Sequence, residues 1–202
     1  MSAAAWLTSL REQPIIAAVR DEDGLRVALA SSARVLFLLS GSLLNIAQLV
    51  QRGLRDERAV FVHLDLIDGL AKDQHGLRWL SDNARPTGVI STRGSLIAAA
   101  RSLRLATVQR VFLLDSQSVH TGMELAHNVR PDVIEVLPGV IAELVQHAQR
   151  PLIAGGLITS PEQARDALQA GAWGVSTSDQ RLWHLSPEFT RQESGGWIAL
   201  ER

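Results

Sequence analysis

The sequence predicts a single (β/α)₈ barrel of the TIM type, and three observations predict it. Eight short β-branched or aliphatic runs end in polar or small residues, at Arg20, Ser40, Asp65, Ser91, Asp115, Glu135, Gly155 and Thr177. The pitch between those ends is nearly constant, at 20, 25, 26, 24, 20, 20 and 22 residues. Each run is followed by a segment whose apolar residues recur at helical spacing. A strand plus a crossover helix, repeated, makes parallel neighbours, and eight such units close into a barrel. An open doubly wound sheet shares the alternation, but eight regular units without a long break favour closure. In a barrel the loops after the strands build the site, so Arg, Asp, Glu, Ser and Gly at those ends mark one functional face.

The elements follow in order. A helix over 3–11 precedes the first strand and is placed to cover the barrel's bottom. Strand one covers 15–20, and Asp23 begins a short helix behind it. Strand two covers 34–40, with Ser42 as cap of an amphipathic helix over 43–54. Strand three covers 59–65, and a loop runs to Asp73 before a helix near 75–83. Strand four is only 88–91, leading to a helix over 95–103. Strand five covers 108–114, with Ser118 as cap of a helix ending near Asn128. Strand six covers 132–136, and Pro138 stands where proline starts a helix well. Strand seven covers 152–154; Ser160 then caps a helix with Pro161 at its first position and Gly171 beyond its end. Strand eight covers 173–177, with a short helix over 179–183. After His184 the pattern fails. The barrel domain is therefore expected over 1–183, and 184–202, containing Gly195-Gly196, as a poorly ordered tail.

Composition narrows the function classes. The chain has 202 residues, 46% of them hydrophobic, which suffices for a core; barrels of this kind run from about 200 to 400 residues. No apolar run reaches the roughly 18 residues of a membrane span, and the first ten residues lack the pattern of a signal peptide. A cytoplasmic protein is expected. The absence of cysteine excludes disulfides, thiolate metal sites and cysteine nucleophiles. A net charge of −1 makes no global case for nucleic-acid binding. Locally, however, residues 76–110 hold six arginines (Arg78, Arg85, Arg93, Arg101, Arg104 and Arg110) against the single acid Asp82. Lys72 is the only lysine.

Four motifs carry chemistry. Ala154-Gly155-Gly156-Leu157-Ile158 is followed by Gly174-Val175-Ser176-Thr177-Ser178. Glycines let the backbone approach a phosphate, and in barrels the loops after strands seven and eight meet at one phosphate site. Ser176, Thr177 and Ser178 would add hydroxyl donors; an ordinary tight turn is the plainer alternative. In Val62-His63-Leu64-Asp65-Leu66-Ile67-Asp68-Gly69, alternation along a strand puts His63 and Asp65 on one face, pointing into the barrel. Asp65, Asp68 and Lys72 then gather at the strand end, where carboxylates can hold hydroxyls, bind Mg²⁺ or act as a base. His63 as a core histidine, Asp68 as a turn former and Asp73 as a helix cap are the structural alternatives. Gly88-Val89-Ile90-Ser91-Thr92-Arg93 offers hydroxyls and a guanidinium suited to oxyanions. The last motif is the acidic pair Asp115 and Glu135. An inward Glu135 needs a partner, since a lone buried carboxylate is costly, and Arg110 or Arg20 can supply a structural ion pair. No nucleophile elbow, Walker loop or His-Glu-x-x-His helix is present.

Taken together these segments resemble a known family. Gln13-Pro14-Ile15-Ile16-Ala17-Ala18-Val19-Arg20, the His63–Gly69 and Gly88–Arg93 motifs, Gln109-Arg110-Val111-Phe112, Ile134-Glu135-Val136-Leu137-Pro138-Gly139, the glycine loop at 154–158 and Ser176-Thr177-Ser178 with Leu182-Trp183 occur in order. The chain is similar over about 13–183 to the bacterial glycerol uptake operon antiterminator regulatory proteins. The resemblance implies a small barrel that senses glycerol 3-phosphate rather than transforming it, without a further cofactor. It also implies that the liganded form binds a messenger RNA leader and prevents premature transcription termination. Carried over by position, the phosphate would sit at Gly155, Gly156, Thr177 and Ser178. Arg20, Asp65, Ser91, Arg93 and Glu135 would face the glycerol, with Asp68 and Ser176 beside them. The tail has no counterpart in the family.

The RNA surface does not transfer, because the chain diverges outside the motifs. Arg78, Arg85, Arg101 and Arg104 are the candidates from charge alone, phosphate contacts being dominant in RNA affinity; a solvated, salt-bridged face is the alternative. Only Trp79 in that stretch offers an aromatic for stacking. A homo-oligomer is compatible with the sequence. Two competing readings share the fold: an isomerase, lyase or phosphodiesterase on a small phosphate ester, with Asp65 or Glu135 as general base, and a ligand-controlled regulator that binds protein instead of RNA.

Overall fold

Eight parallel strands close into a barrel in strict chain order, with β8 hydrogen-bonded back to β1. The computed structural model describes residues 3–140, 150–186 and 188. The strands are β1 (Ile15–Val19), β2 (Val35–Leu38), β3 (Ala59–His63), β4 (Gly88–Ser91), β5 (Ala106–Phe112), β6 (Val133–Leu137), β7 (Leu152–Gly155) and β8 (Gly174–Thr177). The helices are α1 (Ala3–Glu12), α2 (Glu22–Leu29), α3 (Ile46–Arg55), α4 (Gln74–Asn83), α5 (Gly94–Ser102), α6 (Ser116–Val129) and α7 (Pro161–Gln169). The helix expected after Pro138 lies outside the described residues. No helix among the described residues is long and apolar enough to cross a membrane.

Nearly every strand residue is buried, because a parallel barrel is covered on both faces. The outward set, such as Leu36, Val60, Val62, Val89 and Val136, packs under the helices. The inward set, Ile16, Phe37, Phe61, Ile90, Val108, Val133 and Ile153, fills the lumen together with Trp6 and Leu10 of α1. Trp6 packs edge-on against Phe61 at 4.6 Å between ring centroids, so α1 plugs the bottom as its position before β1 predicts. Gly88 is demanded by this packing, since a Cβ there would lie 2.4 Å from the Phe61 ring and 2.3 Å from the Ala106 carbonyl oxygen.

Several boundaries differ from expectation for local reasons. The third strand stops at His63, and Leu64–Leu66 forms a 3₁₀ turn, so Asp65 stands on a turn rather than a strand. The fifth strand starts two residues early. Asp132, expected in strand six, instead clips it: its carboxylate accepts from the Thr107 N–H at 2.8 Å and hydroxyl at 2.9 Å. Asp21 rather than Asp23 caps α2, and Asp115 rather than Ser118 caps α6, the two forming a reciprocal capping box. Asp73 caps α4 as the structural alternative had it, and backbone donation led by the Gly76 N–H holds its carboxyl below the usual range. Ser42 does not cap α3, which begins after Asn45; it pairs with Asp68 across the loops that follow β2 and β3. Pro161, Ser160 and Gly171 play their expected parts at α7. At the C-terminal end Leu182–His184 makes a 3₁₀ turn, and the Leu185 carbonyl accepts from Gln13 and Ser32. The poorly ordered tail expected over 184–202 falls mostly on residues 187 and 189–202, which lie outside the described set.

Candidate functional site

The lumen changes character toward the C-terminal ends of its strands. Below it is apolar; above it holds His63 of β3, Arg110 of β5, Glu135 of β6 and Ser176 of β8, all buried. Strand parity and register produce this layer. Arg110 and Glu135 are register partners on adjacent strands, and on the same face their side chains must meet. The Arg110 Nε donates to Glu135 Oε2 at 2.7 Å, and Glu135 is 0% exposed. This is the structural ion pair weighed above, with Arg110 and not Arg20 as the partner. The other carboxylate oxygen, Oε1, accepts from the Ser176 hydroxyl at 2.6 Å. That bond passes over β7, which separates β6 from β8. It exists because residue 155 is glycine: a Cβ there would lie 2.7 Å from both Glu135 Oε1 and Ser176 Oγ.

His63 completes the layer from the opposite wall. Burial, reinforced by the positive charge of Arg110, lowers its pKa to about 4, so the imidazole is neutral at pH 7. Asp65, one turn on, approaches it at 3.8 Å from Nδ1 to Oδ2. The same Oδ2 accepts from the Ser91 hydroxyl at 2.8 Å and the Thr92 N–H at 3.1 Å, while Oδ1 lies 3.3 Å from the Arg93 Nε. The buried Gln109 amide donates to the Thr92 carbonyl at 2.9 Å and fixes this loop from behind. Arg93 also donates to the Lys72 carbonyl at 3.0 Å, and the Lys72 ammonium donates to the Ile67 carbonyl. Asp65, Ser91 and Arg93 are thus assembled as one cluster, which ties the loops after β3 and β4.

The glycine loop and the end of β8 also meet. The Thr177 hydroxyl donates to the Ile158 carbonyl at 2.7 Å and accepts from the Asp179 N–H at 3.0 Å. Trp183 donates its indole N–H to the Thr177 carbonyl at 2.8 Å, closing the 3₁₀ turn under the loop. The turn itself is two consecutive left-handed residues, Gly156 at φ +71° and Leu157 at φ +58°. Such backbone is rare for leucine and collects at binding sites. Of the three hydroxyls expected at a phosphate, Ser176 is spent on Glu135 and Thr177 on Ile158, whereas Ser178 is exposed.

Two expected members stand apart. Arg20 and Asp68 line a separate cleft of about 370 Å³ between the loops after β1, β2 and β3, with Ser40, Gly41 and Asn45. Asp68 acts there through its backbone, donating to Gly41 at 2.9 Å and accepting from Leu43 at 2.8 Å. The four candidate RNA arginines are dispersed as well. Arg78 on α4 pairs with Asp82, and Arg101 on α5 donates to the Val129 carbonyl. Arg85 and Arg104 are left-handed residues in the turns before β4 and β5, at the end of the barrel away from the site. Among the described residues no group of three or more His, Asp or Glu side chains is arranged to hold a metal ion. The sequence pointed His63 into the barrel, with a core histidine as the alternative, and offered Arg110 only as an ion-pair partner for Glu135; neither stood among the expected site residues. The signal was inward parity at strand ends, which both residues share.

Comparison with known proteins points one way. A family model described as glycerol-3-phosphate responsive antiterminator matches residues 15–183. A solved structure of the glycerol uptake operon antiterminator regulatory protein from Listeria monocytogenes is 34% identical, with a TM-score of 0.81 over 85% of this chain and 95% of that one. An antiterminator-related protein from Thermotoga maritima is 31% identical, with a TM-score of 0.78 over 85% of this chain and 98% of that one. The Escherichia coli protein YgcP is 33% identical over 89% of this chain and 96% of its own length.

Proposed function

The chain belongs to the glycerol-3-phosphate responsive antiterminator family, and we propose on that premise that it is a sensor whose liganded form binds a messenger RNA leader. Glycerol 3-phosphate binds across the C-terminal mouth of the barrel. Its phosphate lies against Gly155, Gly156 and Ser178, and its glycerol end lies over the polar layer toward Asp65, Ser91 and Arg93. The observation that carries this reading is the union of the loops after β7 and β8 through Thr177, beside the left-handed turn at Gly156 and Leu157. That is where barrels commonly hold phosphate. Arg110 supports it further, because its ion pair uses Nε and leaves the terminal guanidinium nitrogens for an anionic ligand.

The state of the carboxylates favours binding over turnover. Glu135 is wholly buried with both oxygens engaged, so it cannot take a substrate proton without giving up Arg110 or Ser176. The Oδ2 atom of Asp65 already accepts two hydrogen bonds. Regulation requires that the ligand favour one of two states, and the stitched loops after β3 and β4 are the element it would bias, since they lead directly into α4 and α5. A protein partner in place of RNA is the second reading. It is favoured by Leu44, Leu114 and Leu157, which stand 95%, 83% and 70% exposed on loops of the same face.

The test is a phosphorus-31 NMR titration of glycerol 3-phosphate with near-stoichiometric protein, followed for hours with and without Mg²⁺. A shifted or broadened signal without a new peak supports the sensor. A growing product peak overturns it in favour of an enzyme, and an unchanged signal overturns the ligand. Leader RNA binding that weakens steeply with salt then separates RNA from protein as the partner.

A further inference from the structure

Buried polar atoms are normally hydrogen-bonded, and the exceptions need a reason. Among the described residues, five buried side-chain atoms have no hydrogen-bond partner: Trp6 Nε1, Gln13 Oε1, His63 Nδ1, Asp65 Oδ1 and Gln109 Oε1. Trp6 and Gln13 belong to the bottom of the barrel, where α1 enters. The other three gather at the opposite end, around β3 to β5. Two of them, His63 and Asp65, face the mouth from one wall, and their side chains approach to 3.8 Å. A buried polar atom without a hydrogen-bond partner is costly, so two side by side are a standing demand for a ligand.

Their chemistry says what kind. His63 is 3% exposed and held neutral, so its ring carries one donor and one acceptor nitrogen. Asp65 Oδ1 is an acceptor alone, its negative charge offset by Arg93 at 3.3 Å. A second anion is excluded next to that carboxylate. A cation would meet Arg110 and Arg93, which already serve the local carboxylates. A hydroxyl group suits both atoms, because it donates and accepts at once. β3 also stands across the barrel from β7, four strands away, so the pair faces the glycine loop from the far wall.

We infer that His63 and Asp65 together read the hydroxyl groups of a small polyol phosphate, and that His63 is the specificity-determining residue of the site. Asp65 Oδ1 accepts from one ligand hydroxyl, and the imidazole exchanges a hydrogen bond with its neighbour. Phosphate supplies affinity at the far wall; this pair decides which phosphate ester is accepted. The inference rests on the ligand reading proposed above.

Calorimetric titration separates the two. Three ligands are compared on the full chain: glycerol 3-phosphate, 3-hydroxypropyl phosphate, which lacks the secondary hydroxyl, and inorganic phosphate. The wild-type protein is expected to prefer glycerol 3-phosphate over 3-hydroxypropyl phosphate by at least about tenfold, the worth of one well-made hydrogen bond in a site built for it. His63→Phe, close in volume, is expected to lose that preference while binding inorganic phosphate as before. His63→Gln, which keeps polarity, serves if His63→Phe fails to show a cooperative melt, and is expected to lose most of the preference too. Retention of the full preference by a folded His63 variant overturns the inference and leaves the ligand reading standing. Failure of the wild-type chain to bind any of the three overturns both.

Discussion

Removing Arg110 tests the logic of the polar layer more sharply than any rim substitution. In Arg110→Met the aliphatic stem is kept and the guanidinium is lost, leaving Glu135 with no exposed surface and only the Ser176 hydroxyl as partner. Breaking a buried pair from one side costs about 3–5 kcal/mol, because the surviving charge can neither reach water nor find a counter-ion. For a domain of this size each kcal/mol moves the melting temperature by about 2–4 °C, so the variant is expected to melt roughly 6–20 °C lower. Replacing both partners, in Arg110→Met with Glu135→Leu, removes the stranded charge and is expected to recover part of that loss. Recovery stays incomplete, since Ser176 then lacks its acceptor at about 1–3 kcal/mol. Calorimetry at pH 7 on the two single variants and the double gives the coupling directly. Single variants melting within about 2 °C of the parent, or a double variant below both, would refute the claim that the pair is a coupled unit in a dry lumen.

Three further outcomes follow from the same geometry. Gly155→Ala pushes a methyl to 2.7 Å from Glu135 Oε1 and Ser176 Oγ, and urea unfolding is expected to show a loss of about 1–3 kcal/mol from overpacking. Leu157→Gly relieves a left-handed residue that is 70% exposed, and is expected to raise stability by about 1 kcal/mol; a drop would mean that the leucine packs against something in solution. The third concerns pH. His63 is lowered from 6.5 to about 4 in the fold, so between those values the unfolded chain binds the extra proton. Stability therefore falls as pH drops from about 6.5 to about 4, by about 3 kcal/mol in all, and this contribution levels off below. His63→Gln is expected to flatten that slope in equilibrium unfolding measured at several pH values.

Different parts of the site were legible to different degrees. The start and stop of α7 were readable, because Ser160, Pro161 and Gly171 act within one helix length; the reciprocal bond from Gln163 emerged only in the structure. Asp115 was readable only as an acid at a strand end; its use as a cap depends on where α6 starts, which shifted with the two-residue displacement of β5. Parity alone turned Glu135 and His63 inward. It could not choose between Arg110 and Arg20, because that choice depends on the β5–β6 register and on Arg20 lying outside the lumen. Gly155 invited a reading as a phosphate approach, yet its missing side chain also opens the path between Glu135 and Ser176.

The sequence by itself determined the barrel, the order of its strands and the face on which polar groups gather. Those properties depend on periods of two and 3.6 residues and on a pitch of 20 to 26, all local quantities that a chain carries whether or not it is folded. Only the tertiary structure decided which of those groups are spent and which remain available. Ser176 and Glu135 satisfy one another, Thr177 closes a loop, and His63 and Asp65 keep unpaired atoms at the mouth. Partner choice of that kind is a contest among residues up to 41 positions apart, decided by strand register and burial in the closed barrel.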